Sequence, residues 1–133
     1  MKTLYLIRGV PGSGKSSFAE ILLANQVVDD VVEADHYFVN EGKYCFNPHK
    51  LKEAHEWCQD STRAALGRGC SIAVSNTSTT EKEVETYRKI AEDCNAKFVS
   101  IIVENRHGGE NIHGVPEEKL QQMKSRFSTK LIS

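Results

Sequence analysis

The stretch Gly9-Val10-Pro11-Gly12-Ser13-Gly14-Lys15-Ser16 decides how this chain folds. It matches the pattern G-x-x-x-x-G-K-[ST] at every fixed position. The residues before it, Thr3–Arg8, are mostly apolar and β-prone, which predicts a buried strand. The residues after it, Lys15–Ala24, place their apolar side chains on one helical face. A glycine-rich turn between a strand and a helix indicates a loop that binds phosphate.

Each residue type in this loop suits a nucleoside triphosphate. Glycine lets backbone N–H groups converge on an anion, and the start of the following helix adds a favourable field. Lys15 supplies a mobile positive charge for the β- and γ-phosphates, and the Ser16 hydroxyl is a hard oxygen ligand for Mg²⁺. We therefore predict ATP and Mg²⁺ as cofactors, with GTP left open as an alternative to ATP. The predicted nucleotide-binding residues are Gly9, Pro11, Gly12, Ser13, Gly14, Lys15, Ser16 and Ser17.

Strand and helix patterns alternate along the chain. Strands are predicted at Thr3–Arg8, Val31–Ala34, Ser71–Ser75 and Lys97–Val103, and helices at 15–24, 48–66, 81–94 and 116–127. This order predicts an α/β, three-layer P-loop NTPase (kinase-like) fold, with a short, mainly parallel sheet of four to five strands flanked by helices. A length of 133 residues fits one domain over 1–133, and the Gly-rich segment 104–116 is predicted to be a lid.

Polar side chains follow the predicted strands, at the sheet edge where such folds bind ligands. Asp35 ends the second strand and is predicted to orient an acceptor hydroxyl and take its proton. Asn76 follows the third strand and is predicted to bind Mg²⁺ through a water, with a turn-forming Asn as the alternative. Arg106, in the predicted lid, would stabilise the transferred phosphoryl group, with Arg126 as its competitor. The predicted catalytic residues are thus Lys15, Asp35 and Arg106.

Aromatic residues cluster in the segment after Asp35. They are Tyr37, Phe38, Tyr44 and Phe46. Exposed rings would offer faces on which a nucleobase could stack, whereas buried rings would simply form the local core. The sequence leaves both interpretations open.

Composition limits the class of protein. A formal net charge of −1 gives no general attraction to nucleic acid or membranes. The four cysteines, Cys45, Cys58, Cys70 and Cys94, lack zinc-site spacing and indicate a reducing compartment. The apolar run Leu4–Ile7 is too short for a signal peptide, and no stretch approaches transmembrane length. We expect a cytoplasmic protein without membrane contact, of undetermined oligomeric state.

Five segments together resemble the compact P-loop kinases grouped with bacteriophage polynucleotide kinase, and the similarity covers nearly the whole chain. They are GVPGSGKSSFAE (9–20), EADHYF (33–38), YCFNPHKLKEAHEWC (44–58), VSNTSTTEKEVETY (74–87) and NIHGVPEEKLQQMKSRF (111–127). The resemblance implies that Lys15 and Ser16 act on ATP·Mg²⁺, that Asp35 is the general base, and that Asn111–Pro116 is a lid before the last helix. The chain departs from the family at three positions, where Ala34, Asn76 and Glu110 replace Arg, Asp and Arg.

Three functions fit these observations. The first is transfer of the γ-phosphoryl group of ATP to a hydroxyl on nucleic acid, either a 5′-hydroxyl, as the resemblance implies, or one on a modified base. Short insertions favour it, because a kinase for small molecules usually closes larger lids over its substrates. The second is a kinase for nucleosides, nucleotides or other small molecules. The third is an ATP-binding module without catalysis, which the three departures from the family favour.

Overall fold

The computed structural model describes residues 1–78, 80–106 and 114–129. Within these ranges the strands are β1 (Thr3–Arg8), β2 (Asp30–Val32), β3 (Val39–Asn40), β4 (Lys43–Tyr44), β5 (Ile72–Asn76) and β6 (Lys97–Ile102). The α-helices are α1 (Lys15–Ala24), α2 (Leu51–Gly67), α3 (Glu81–Asp93) and α4 (Glu117–Arg126). Short 3₁₀ helices occur at Ala34–Phe38 and Pro48–Lys50.

The main sheet has the order β2-β5-β1-β6, and its neighbouring strands are parallel. β1 lies inside the sheet, with Leu6 opposite Val74 of β5 and Ser100 of β6. The predicted short, mainly parallel sheet of four to five strands is therefore confirmed, with four strands among the described residues. Parallel strands bring the loops after β1, β2, β5 and β6 to one edge.

Helices cover both faces of this sheet because side chains alternate along each strand. Leu4 and Leu6 of β1 are buried in the larger core cluster, which α2 and α3 complete. Ile7 belongs to the second cluster, where Ala19 of α1 packs with Val28 and Ala73. The result is the predicted three-layer arrangement, with α1 on one face and α2 and α3 on the other.

The predicted helices are confirmed to within a few residues at their ends. α3 begins with a capping box: the Thr80 hydroxyl accepts the Glu83 N–H, and the Glu83 carboxylate accepts the Thr80 N–H. Pro48 opens a 3₁₀ turn whose N-cap, Asn47, accepts a hydrogen bond from the His49 N–H, and α2 follows. In the part of the chain that the structure describes, no helix combines the length and apolar character needed to cross a bilayer.

The second strand ends earlier than predicted. It stops at Val32, and Ala34–Phe38 forms a 3₁₀ helix, so Asp35 lies in a helical turn and not at a strand end. The reason is a tertiary hydrogen bond: the Ala34 N–H donates to the Asn76 side-chain oxygen at 2.9 Å and so leaves the sheet pattern.

A small antiparallel hairpin, β3–β4, lies between the second and third predicted elements of the sheet, in a segment for which the sequence predicted neither strand nor helix. Its turn residues, Glu41 and Gly42, both have positive φ, at 52° and 78°. Two such residues fit the tight hairpin turn whose twist matches paired strands. Glu is uncommon at the first of these positions, which explains why the sequence did not predict the hairpin.

The predicted lid, 104–116, is described only at its two ends. Residues 107–113, which include Glu110 and the first half of the segment Asn111–Pro116, lie outside the described residues. The helix that follows begins at Glu117, with Pro116 as its N-cap.

Candidate nucleotide and acceptor site

A cavity of about 910 Å³ lies at the carboxyl edge of the sheet. The glycine-rich loop forms one end of it, and residues 33–35 and 75–78 from the neighbouring strand ends form its floor. Residues of the hairpin segment, of the first half of α2 and of one side of α4 also line it. The cavity therefore gathers segments that are far apart in the sequence.

The loop has the backbone geometry that phosphate binding requires. Gly12 and Gly14 have φ values of 83° and 97°, a region that side chains other than glycine's rarely adopt. A Cβ on Gly9 would collide with the Ser13 hydroxyl and lie 2.8 Å from the Val103 carbonyl oxygen. Gly14 is the N-cap of α1 and has no side chain to occupy that helix end. Gly14, Lys15 and Ser16 line the cavity, so the first turn of α1 offers N–H groups that would stabilise an anion there.

The predicted nucleotide-binding residues divide into two groups in the structure. Six of them line the cavity: Pro11, Gly12, Gly14, Lys15, Ser16 and Ser17. The other two, Gly9 and Ser13, are not among the residues that line the cavity. The Ser13 hydroxyl is fully buried and has no hydrogen-bond partner among the described residues, so it supports the turn by packing against Gly9.

Glu33 is the residue that sequence reasoning missed. Its carboxylate accepts a hydrogen bond of 2.9 Å from the Ser16 hydroxyl, and its side chain is only 13% exposed. A hydroxyl beside a carboxylate provides two hard oxygen atoms, the donor type that Mg²⁺ prefers. The only signal in the sequence was a second acidic residue two positions before Asp35.

Lys15 lies near the carboxylates of Glu33 and Asp35. Burial lowers the pKa of its ammonium group below the ordinary value, and the negative charges of Glu33 and Asp35 oppose that effect. Lys15, Ser16, Glu33 and Asp35 therefore form one electrostatic cluster. A triphosphate would add negative charge next to Lys15 and favour its charged form.

Asp35 lines the cavity, as the sequence predicted, and is held by the hairpin. The Tyr44 hydroxyl donates to its carboxylate at 3.2 Å. Burial, with the negative charge of Asp35 next in size, raises the pKa of Tyr44 to about 12, so Tyr44 remains a donor at neutral pH. The neighbouring His36 is exposed and lies 3.8 Å from Glu33.

Asn76 lines the cavity and also has a structural role. It is the last residue of β5 and is buried. Its oxygen accepts the Ala34 N–H, and its amide group donates to the Tyr87 hydroxyl at 3.3 Å and to the Cys58 sulfur at 3.6 Å. The amide thus joins β5 to α2, α3 and the turn that carries Asp35. Its water-mediated contact with Mg²⁺ stays a prediction.

The predicted cation Arg106 is not among the residues that line the cavity. Its side chain is 86% exposed, and its Nε donates to Glu104 at 2.6 Å. Its competitor, Arg126, lines the cavity from α4, as does Lys119. The two lie seven positions apart, on one helical face.

Known proteins resemble this chain over nearly its whole length. Residues 4–129 match the family model AAA_33, described as an AAA domain. A segment of human (Homo sapiens) NEDD4-binding protein 2 is 32% identical over 136 residues, covering 93% of this chain and 8% of that protein. The chain thus spans a small fraction of that relative's length.

Two solved structures share the fold. A chain of the Pnkp1/Rnl/Hen1 RNA repair complex has a TM-score of 0.64 at 18% identity, covering 98% of this chain and 40% of that one. The Mycobacterium tuberculosis APS kinase CysC, solved with AMPPNP and APS, has a TM-score of 0.61 at 19% identity, covering 89% of this chain and 74% of that one. This P-loop kinase-like fold implies nucleotide binding. Because the family model spans nearly every described residue, the chain belongs to the AAA-domain family.

Proposed function

We propose that this protein transfers the γ-phosphoryl group of ATP to a hydroxyl on a nucleic acid. The observation that carries the proposal is the shared cavity: Asp35 lies in the same space as Lys15 and Ser16, close enough for its charge to act on Lys15. A phosphate-binding end and a carboxylate that can take a proton are the two parts that transfer to a hydroxyl requires.

In this proposal the loop N–H groups and Lys15 bind the β- and γ-phosphates, and Asp35 accepts the proton of the acceptor hydroxyl. The acceptor oxygen forms a bond to the γ-phosphorus while the bond from that phosphorus to the β–γ bridging oxygen breaks, and ADP leaves. Ser16 and Glu33 would hold Mg²⁺, which supplies charge neutralisation on the phosphates. Arg126 replaces Arg106 as the proposed stabilising cation, because it faces the cavity.

Two observations favour nucleic acid as the acceptor. One structural neighbour belongs to an RNA repair complex, and Lys119 and Arg126 of α4 place positive charge along one side of the cavity. A small-molecule kinase is the second candidate, favoured by the likeness to APS kinase and by a net charge of −1. The two candidates differ in salt dependence, because counterion release makes only nucleic-acid binding fall steeply with salt.

The test supplies γ-labelled ATP and Mg²⁺ with 5′-hydroxyl DNA and RNA, hydroxymethylated DNA, nucleosides and nucleotides. We expect the label on nucleic acid. An Asp35→Asn variant keeps the shape but not the basic group, so transfer should fall by about 10²- to 10⁴-fold while ATP binding persists. Asp60→Asn, on the exposed side of α2, is the matched control. Label found only on small molecules would favour the second candidate, and normal transfer by Asp35→Asn would overturn the role of Asp35.

A further inference from the structure

Two exposed aromatic rings line the cavity beside Asp35. Tyr44 is 40% exposed and Phe46 is 51% exposed. Their ring centroids are 6.4 Å apart and their planes differ by 26°, so they present stacked faces, and both line the cavity. We call this pair the hairpin platform. Exposed aromatic faces on a cavity wall indicate a binding surface for a flat, apolar group.

The hairpin platform is held in place by the ring and the backbone of Phe38. Buried Phe38 contacts both rings edge-on, with centroids 5.0 Å from Phe46 and 6.4 Å from Tyr44. The Cys45 N–H, between the two rings, donates to the Phe38 carbonyl at 2.8 Å. The rings are therefore preorganised, which lowers the entropic cost of binding a ligand on them.

Position links the hairpin platform to the chemistry. The Tyr44 hydroxyl donates to Asp35, so the platform adjoins the carboxylate that we propose takes the acceptor's proton. Pro48 and Leu51 extend the same wall with apolar surface. The aromatic and apolar side chains of this wall offer a surface on which a planar nucleobase would stack.

We infer that Tyr44 and Phe46 form the subsite that stacks the nucleobase next to the accepting hydroxyl. This inference rests on the proposed function and specifies its substrate: a nucleic-acid end whose terminal nucleotide carries both the base and the hydroxyl. The basic side chain of Lys119 lines the same cavity and would attract the phosphate that follows the terminal nucleotide.

The test compares two 5′-hydroxyl oligonucleotides, one with a normal terminal base and one with an abasic terminal sugar. Wild-type protein should show a KM for the abasic strand that is about 10-fold or more higher, since stacking one base on an aromatic side chain is worth roughly 5- to 150-fold. Phe46→Ala should raise the KM for the normal strand by a similar factor and leave the KM for ATP unchanged. In Phe46→Ala the KM values for the two strands should be nearly equal, and Phe46→Trp should restore the difference between them.

Val39→Ala is the matched control, because Val39 is an exposed apolar residue of the same hairpin but does not line the cavity. It should behave as wild type. If wild-type protein labels both strands with equal KM, the subsite is refuted while the proposed function stands. If wild-type protein labels no nucleic acid, the proposed function fails and this inference fails with it. The comparison of strands on wild-type protein needs no variant, so poor folding of Phe46→Ala cannot obscure the answer.

Discussion

At the scale of single residues, the most informative side chain is Glu33. Its carboxylate accepts a hydrogen bond from the Ser16 hydroxyl and is mostly buried beside Lys15. A buried carboxylate is costly unless it is paired or hydrogen-bonded. A positive charge bound near the Ser16 hydroxyl would compensate the charge of this carboxylate, and we propose that Glu33 helps to hold Mg²⁺ there.

The first prediction follows from that charge. Glu33→Gln can still accept the Ser16 hydrogen bond but loses the negative charge, so Mg²⁺ should bind more weakly. We expect the Mg²⁺ concentration for half-maximal transfer, or for half-maximal ATP binding, to rise about 10-fold, a typical loss of one weakly screened charge contact. A Mg²⁺ titration at fixed ATP measures it. Glu56→Gln, exposed on α2, is the control, and an identical titration curve for Glu33→Gln and wild type would exclude the metal role.

Sequence alone was sufficient for the local backbone around loop 9–16. The flanking strand and helix were predicted correctly, because neighbouring residues determine them, and Gly12 and Gly14 adopt the positive φ that the motif indicates. Asn76 and Arg106 were different. Whether an Asn after a strand turns toward solvent or into the core depends on Ala34, Cys58 and Tyr87, which only the folded chain brings to it. Arg106 was predicted to face the phosphates because it follows β6. No local pattern reveals that its exposed side chain forms an ion pair with Glu104.

At the scale of elements, the weakly packed helix is α4. None of its residues is buried. The segment after it is held by Arg8, which is 3% exposed at the end of β1. Arg8 donates to the Ser128 carbonyl at 2.7 Å and to the Ser78 carbonyl at 2.8 Å, and its guanidinium lies 4.8 Å from the Phe127 ring centroid. One side chain thus joins the sheet, the loop after β5 and the end of α4.

The second prediction tests this junction. Arg8→Lys keeps the charge but loses the planar group that reaches two carbonyls and stacks on Phe127. We expect the free energy of unfolding to fall by about 1–3 kcal/mol, the cost of leaving a buried acceptor unpaired. Amide hydrogen exchange across 117–126 should become faster than in the wild type, and the increase should exceed that in the other helices, because α4 depends on this contact. Arg63→Lys, whose exposed pair with Asp93 contributes little, is the control. Unchanged exchange in α4 would show that other contacts hold the helix.

The hairpin shows why an element can escape sequence prediction and still matter. Two strands of two residues each carry no periodic pattern, and the turn uses Glu41 at positive φ. The aromatic residues around it were noticed, but stacking surface and local core could not be told apart. The structure contains both: Phe38 is buried core, whereas Tyr44 and Phe46 face the cavity.

At the scale of the whole molecule, the cavity is a property of the sheet order. β1 ends at the phosphate loop, and its neighbour β5 ends at Asn76, which fixes the turn after β2 that carries Asp35. Nucleotide contacts would therefore involve loops from several strands at once. A nucleotide that binds only the folded protein should therefore stabilise all of these loops together, and this effect does not depend on the identity of the acceptor.

The last prediction measures that stabilisation without reference to catalysis. With ATP·Mg²⁺ at about 100 times its dissociation constant, the folded state should gain roughly 2.7 kcal/mol and the melting temperature should rise by about 10 °C. Lys15→Ala should lose most of this shift, because it removes the charge that faces the phosphates, whereas Lys52→Ala on exposed α2 should keep it. Thermal unfolding with and without ligand measures both. A shift of equal size in Lys15→Ala would place the nucleotide away from the loop, and no shift in the wild type would refute nucleotide binding itself.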